Sequence, residues 1–210
     1  MSRKLVDAAR DALRGVRRAF ALAAPLALAG PVCADGPDLG WIDREVLEAG
    51  DVAVRTSKED GTITVDTAAL IDATPQRIWA VLVACEVAPD YVPNVVACDH
   101  LERLDDGRAD LFVQTIKPIF FIPRFEYVFR LDYTPYERID MTRLSGGPLD
   151  RMEGTWWFLR QTDGSVLLVH SLEVEPAVPI PRFMLRATLR RDLTKIMEAI
   201  RDRAEGRADD

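Results

Sequence analysis

Over its second half the chain alternates apolar and polar positions with a period of two. Phe125, Tyr127, Phe129 and Leu131 fall on one side of a segment whose other side carries Glu126, Arg130 and Asp132. Leu168, His170, Leu172 and Val174 oppose Ser171, Glu173 and Glu175 in the same way. Alternation of this kind marks strands with one face in a core. Gly154, Trp156 and Phe158 alternate with Thr155, Trp157 and Leu159, so that strand is apolar on both faces. Asp105-Asp106-Gly107, Pro118, Pro135, Ser145-Gly146-Gly147-Pro148, Asp163-Gly164 and Pro176 punctuate the pattern. Six consecutive antiparallel strands are predicted at 95–104, 109–116, 124–133, 138–144, 151–161 and 165–174. Asp106-Gly107 and Asp163-Gly164 are the dipeptides that favour tight hairpins.

Ahead of these, 41–47 reads as a strand or a helical turn and 51–56 as a short strand. Residues 62–72, rich in Thr, Val and Ile, read as a further strand. Thr74-Pro75 then starts a helix: Thr74 is an N-cap candidate, and Pro75 sits where its missing N–H costs nothing. Ile78, Trp79, Leu82 and Val83 form its apolar face, and Pro89, Tyr91 and Pro93 allow only a short second helix or turn. At the far end, 182–203 lacks Gly and Pro and carries Leu185, Leu189, Leu193, Ile196 and Ile200 at spacings of three and four. That is an amphipathic helix of about six turns. The order strand, helices, six strands, long helix predicts an α+β domain over 62–205, with an antiparallel sheet of about seven strands. Such a sheet curls, and a single helix fills only part of its concave face. The remainder is either core or pocket.

The alternations name candidates for the pocket lining. From the strands come Tyr127, Phe129, Met141, Arg143, Trp156, Phe158 and His170; from the helices come Trp79, Phe183 and Leu189. His170 either hydrogen-bonds a ligand hydroxyl or carbonyl, or is a core histidine bonded to the backbone. Arg143 alternates with Ile139 and Met141, and if buried it needs Glu153 or a ligand anion as partner; otherwise it lies at the strand end in water. Ile119, Phe120, Phe121 and Ile122 stand between Pro118 and Pro123. They read as a hydrophobic lip, a gate or membrane contact, or as a buried strand continuation. Arg182, Arg186 and Arg190 recur every four residues, with Arg191 beside them. This stripe either faces anionic headgroups or is a solvated face paired with Asp192 and its neighbours.

The first 34 residues differ from the rest. Six basic groups precede or open an Ala-rich apolar run from 19 to 30, and Val32-Cys33-Ala34 follows. This is the order of a secretory signal, with cleavage expected after Ala34; the alternative is an amphipathic first helix. Arg17-Arg18 resembles a twin-arginine signal, although Val16 departs from its usual pattern. The run is too short to span a bilayer. Residues 35–61 then form a linker and a short strand. An exported chain, periplasmic if bacterial, would keep Cys85 and Cys98, which are a disulfide candidate or two buried thiols.

Beyond the leader, 21 basic and 32 acidic groups leave a net charge of -11. Such a body is repelled by phosphate backbones, so nucleic-acid binding is not expected. With two histidines in the chain and no Gly-x-Ser-x-Gly or Gly-rich phosphate loop, neither a metal, a cofactor nor a catalytic constellation is expected.

The segment Ile71-Asp72-Ala73-Thr74-Pro75-Gln76-Arg77-Ile78-Trp79-Ala80-Val81-Leu82 resembles the opening strand–helix signature of the START-like superfamily. That superfamily includes polyketide cyclase/dehydrase-type and coenzyme-Q-binding START proteins. Tyr91-Val92-Pro93-Asn94-Val95 is similar to the turn that follows, and Gly154-Thr155-Trp156-Trp157-Phe158 to the Gly-x-Trp strand near the end. The resemblance spans about 62–203. It implies a helix-grip fold with a ligand tunnel between sheet and C-terminal helix, without fixing the ligand. The expected function is non-catalytic binding or transfer of a hydrophobic molecule such as a lipid, quinone or sterol-like compound. A cyclase/dehydrase-type enzyme and a protein-interaction module are the alternatives.

Overall fold

The computed structural model describes residues 36–118, 123–177 and 181–207, and leaves the side chain of Arg182 undescribed. The expected leader at 1–34 and the lip of Phe120, Phe121 and Ile122 lie outside the described residues.

Chain order runs α1 (Arg44–Glu48), β1 (Ala53–Glu59), β2 (Thr62–Ile71), α2 (Pro75–Val83), α3 (Ala88–Tyr91), then β3 (Val95–Leu104) and β4 (Ala109–Ile116). It continues with β5 (Phe125–Thr134), β6 (Arg138–Gly146), β7 (Leu149–Arg160), β8 (Val166–Pro176) and α4 (Arg182–Glu205). One antiparallel sheet has the order β1-β2-β8-β7-β6-β5-β4-β3. Strands β3 to β8 form a meander, and β2 closes against β8 with Ile63 opposite Val174 and Ile71 opposite Val166. The sheet has eight strands, one more than the count of about seven, because β1 pairs along its whole length with β2.

Since β2 and β3 lie far apart in the sheet, the α2–α3 connection must cross its concave face. Thr74 caps α2 by accepting from the Arg77 N–H, with Pro75 in the first turn. Helix α4 lies over β2 and ends at Gly206, whose φ of +78° lets its N–H reach the Arg203 and Asp202 carbonyls. Leu193, Met197, Ile200 and Ala204 of α4 are buried against Ile63, Val65, Ala69 and Ile71 of β2 and the inward residues of β5 and β8. Each large aliphatic among them contributes about 1.5–3 kcal/mol of burial. The extra residues in β3, β6 and β7 are bulges of the kind that increase local twist and bend a sheet.

The two-sided apolar pattern of β7 also has a cause. On the convex face, α1 buries Leu47 against Ala53, Ala68 and Val169, and Trp157 and Leu159 pack into the same cluster. In the β3–β4 connection Asp106 and Gly107 both adopt positive φ, 56° and 88°, a conformation open to Gly and tolerated by Asp.

Candidate ligand-binding cavity

The concave face is not filled. A cavity of about 190 Å³ lies between the sheet floor, the end of α2, α3 and the C-terminal half of α4. Its floor includes Phe129, Leu131, Ile139, Met141 and Trp156, and its roof Leu82, Val92, Leu193, Ile196 and Ile200. No charged side chain lines it among the described residues; the polar ones are Tyr91, Gln114, Tyr127 and His170.

Each polar group has a defined environment. The Tyr91 hydroxyl donates to the Val81 carbonyl at 3.2 Å, and burial pushes its acidity down to a pKa of about 12. Tyr127 donates to the Gln114 side-chain oxygen, and burial holds its hydroxyl protonated well above the usual tyrosine range. His170 is 3% exposed, and its ring stacks on Trp156 with centroids 3.7 Å apart. Desolvation lowers its pKa to about 3, so it is neutral at physiological pH. Its Nδ1 is buried without a hydrogen-bond partner, as is Oγ1 of Thr67, directly opposite on β2.

Gly154 explains the Gly-x-Trp strand. A Cβ built there would lie 3.2 Å from His170 Nε2 and 3.3 Å from both Leu172 Cδ1 and Met141 Cε. The missing side chain is the space into which the imidazole and its neighbours fit. Cys85 and Cys98 also line the cavity and form a disulfide with Cα atoms 5.3 Å apart. It fastens the turn between α2 and α3 to edge strand β3.

Of the residues expected in the lining, Tyr127, Phe129, Met141, Trp156 and His170 meet at this cavity. Five others lie elsewhere. Trp79 sits toward the other end of the sheet, 5.4 Å from the rings of Tyr133 and Tyr136 and 5.6 Å from that of Phe158. Phe158 is thereby buried in this second aromatic cluster. Arg143 is half-buried at the end of β6, where it donates to the Gly146 and Asp150 carbonyls at 2.8 and 2.7 Å. Glu153, its expected partner, pairs instead with Arg151 at 2.7 Å. Phe183 is 72% exposed, and Leu189 packs on the core short of the cavity, because the later turns of α4 form the roof. Arg186 and Arg190 are exposed, while Arg191 pairs with Asp192 at 2.8 Å.

Sequence reasoning missed Gln114 and the α3 side of the cavity. Gln114 alternates with Phe112 and Ile116, the one available signal. Reasoning also missed Asp110, buried beside Trp79's cluster, which accepts from Arg103 and Tyr133 at 3.1 Å each and lies 2.9 Å from His100 Nε2. Burial alone would raise its pKa, but these hydrogen bonds outweigh burial and hold it below the usual carboxylate range. Among the described residues no cluster of side chains has the makings of a metal site.

Comparison with solved structures places this architecture among helix-grip proteins. The START superfamily protein from Mycobacterium smegmatis superposes with a TM-score of 0.60 at 20% identity, over 68% of this chain and 97% of that one. The STAR-related lipid transfer protein from Xanthomonas axonopodis gives 0.57 at 14% identity, over 71% and 97%. The di-domain ARO/CYC StfQ from the steffimycin biosynthetic pathway gives 0.60 at 17% identity, over 71% of this chain and 52% of that one. No curated protein sequence matches the chain. The family model described as "Polyketide cyclase / dehydrase and lipid transport" matches residues 71–201, from the end of β2 through α2, α3 and the β3–β8 meander and most of the way along α4. With fold, cavity and sequence model in agreement, the chain belongs to the polyketide cyclase/dehydrase and lipid transport family, on a START-like hydrophobic-ligand-binding fold.

Proposed function

We propose that the protein binds and carries a hydrophobic small molecule without transforming it. One observation carries this reading: an apolar cavity between sheet and α4 with no charged side chain in its described lining. Burying a ligand's apolar surface there is favourable by about 25 cal/mol per Å². The volume slightly exceeds the roughly 150 Å³ that holds a benzene in an engineered cavity. The pocket therefore suits a ring or slender chain, and a bulkier ligand requires the α2–α3 lid to move.

The family's cyclase members, and the ARO/CYC fold neighbour, support a second reading as an enzyme. General acid–base catalysis works best with a group poised near the operating pH. His170 is held neutral far below that range and Tyr127 far above it, which favours binding.

Native mass spectrometry of protein purified from cells tests the carrier reading, together with titration of the neutral fluorophore N-phenyl-1-naphthylamine. A retained apolar mass, and dye uptake blocked by Met141→Trp, are expected. An empty protein that takes up no dye refutes it. Turnover of an aromatic or polyketide-like substrate, lost in His170→Ala with binding intact, would establish the enzyme instead.

We propose further that the protein is exported and makes transient contact with an anionic membrane. The Cys85–Cys98 disulfide supports export to an oxidising compartment, and N-terminal sequencing of the mature protein is expected to begin at Asp35. Exposed Phe183 and Met184, followed by exposed Arg186 and Arg190, support transient contact with an anionic membrane.

A further inference from the structure

We infer that the cavity selects molecules whose buried polar group is uncharged, a hydroxyl or carbonyl that meets His170, and rejects carboxylates carried on the same apolar body. The inference rests on the carrier reading and specifies its ligand class.

Three observations support it. First, His170 alone among the described cavity-lining residues has a buried polar side-chain atom left without a partner. That Nδ1 is closed off from the cavity opposite Thr67, so a ligand's hydroxyl or carbonyl meets the ring at Nε2, on the Gly154 side, which has no hydrogen-bond partner either. The two lining hydroxyls are already committed: Tyr127 donates to the Gln114 side-chain oxygen, and Tyr91 to the Val81 carbonyl. Second, no Lys or Arg lines the cavity among the described residues, so an anion has no counter-charge there. Its titratable groups are Tyr91 from α3, Tyr127 from β5 and His170 from β8; α2 and α4 contribute only apolar side chains to the lining. Third, none of the three supplies a cation near neutral pH. Both tyrosines are neutral when protonated, and the surroundings of His170 favour its neutral form.

The neutral imidazole is bifunctional, with one N–H donor and one acceptor nitrogen. It serves a carbonyl as donor and a hydroxyl as acceptor. A carboxylic acid enters only by taking up a proton, and each pH unit above its ordinary pKa then costs a factor of ten in affinity. With an ordinary carboxyl pKa near 4.3, discrimination at pH 7.4 is on the order of 10³-fold.

Competition against N-phenyl-1-naphthylamine with a matched trio tests this: 2-methylnaphthalene, 2-naphthalenemethanol and 2-naphthoate. The alcohol is expected to bind at least 100-fold more tightly than the carboxylate at pH 7.4. Carboxylate affinity is expected to rise about tenfold per unit as pH falls from 7.4 to 5.4, with the alcohol unchanged. His170→Leu should lower the affinity for the alcohol relative to methylnaphthalene at least fivefold. Carboxylate binding within tenfold of the alcohol at pH 7.4, or an alcohol indifferent to His170→Leu, overturns the inference while the carrier reading stands. If neither the dye nor any of the trio binds, the carrier reading falls and the inference falls with it.

Discussion

His170 makes the stability of this protein depend on acid in a way that can be isolated. Its pKa is lowered by desolvation from 6.5 to about 3 in the folded state. Between these values the unfolded chain binds a proton that the folded chain refuses, so stability falls as pH drops from about 6.5 toward 3. One unit is worth about 1.4 kcal/mol. Integrated from pH 7.5 to 4.5, where the folded imidazole is still neutral, the loss is about 2.7 kcal/mol. His170→Gln removes the titration and leaves the surface carboxylates and His100 unchanged. Urea unfolding followed by tryptophan fluorescence at pH 7.5, 6.5, 5.5 and 4.5 gives the stability of each protein. The wild type is expected to lose about 2.7 kcal/mol more than the variant over this range, or roughly 5–10 °C in melting temperature. Parallel pH profiles would show that the imidazole is protonated in the folded state or solvated there, and would refute its desolvation in the fold.

Three other outcomes follow from the same structure. Replacing Cys85 and Cys98 together by Ala releases a short loop and should cost about 3 kcal/mol, read as a lower denaturant midpoint; an unchanged midpoint contradicts the fastening role. Gly154→Ala forces a Cβ against His170, Leu172 and Met141 and should destabilise the fold by about 1–3 kcal/mol while weakening dye uptake, and a variant with parental affinity and stability would show that these neighbours give way freely. Phe183→Glu should slow ligand transfer between anionic vesicles severalfold with stability within about 0.5 kcal/mol of the parent; unchanged transfer rules out membrane contact through the start of α4.

The amino-acid sequence by itself determined the elements and their order. Strand alternation, the Thr74-Pro75 helix start, the two Asp-Gly turns and the apolar spacing of α4 are local signals, each read from near neighbours in the chain. They are enough to call an antiparallel sheet gripped by one helix, and to put Tyr127, Phe129, Met141, Trp156 and His170 on its inner face. Tertiary structure alone decided which inward residues bound empty space and which pack solid. Phe158 carries the same inward pattern as Trp156, yet it packs against Trp79 of α2, which also meets Tyr133 and Tyr136, and this cluster closes that end. Arg143 shares a face with Met141, yet the Gly146 and Asp150 backbone carbonyls on either side of the β6–β7 turn capture its guanidinium. Periodicity gives a side chain's direction, whereas a cavity is set by the distance to whatever lies opposite, and that distance depends on sheet curvature, helix position and the disulfide acting together. The neutral state of His170 has the same origin, because desolvation is a property of the assembled surroundings and is not encoded in the residue or its neighbours in sequence.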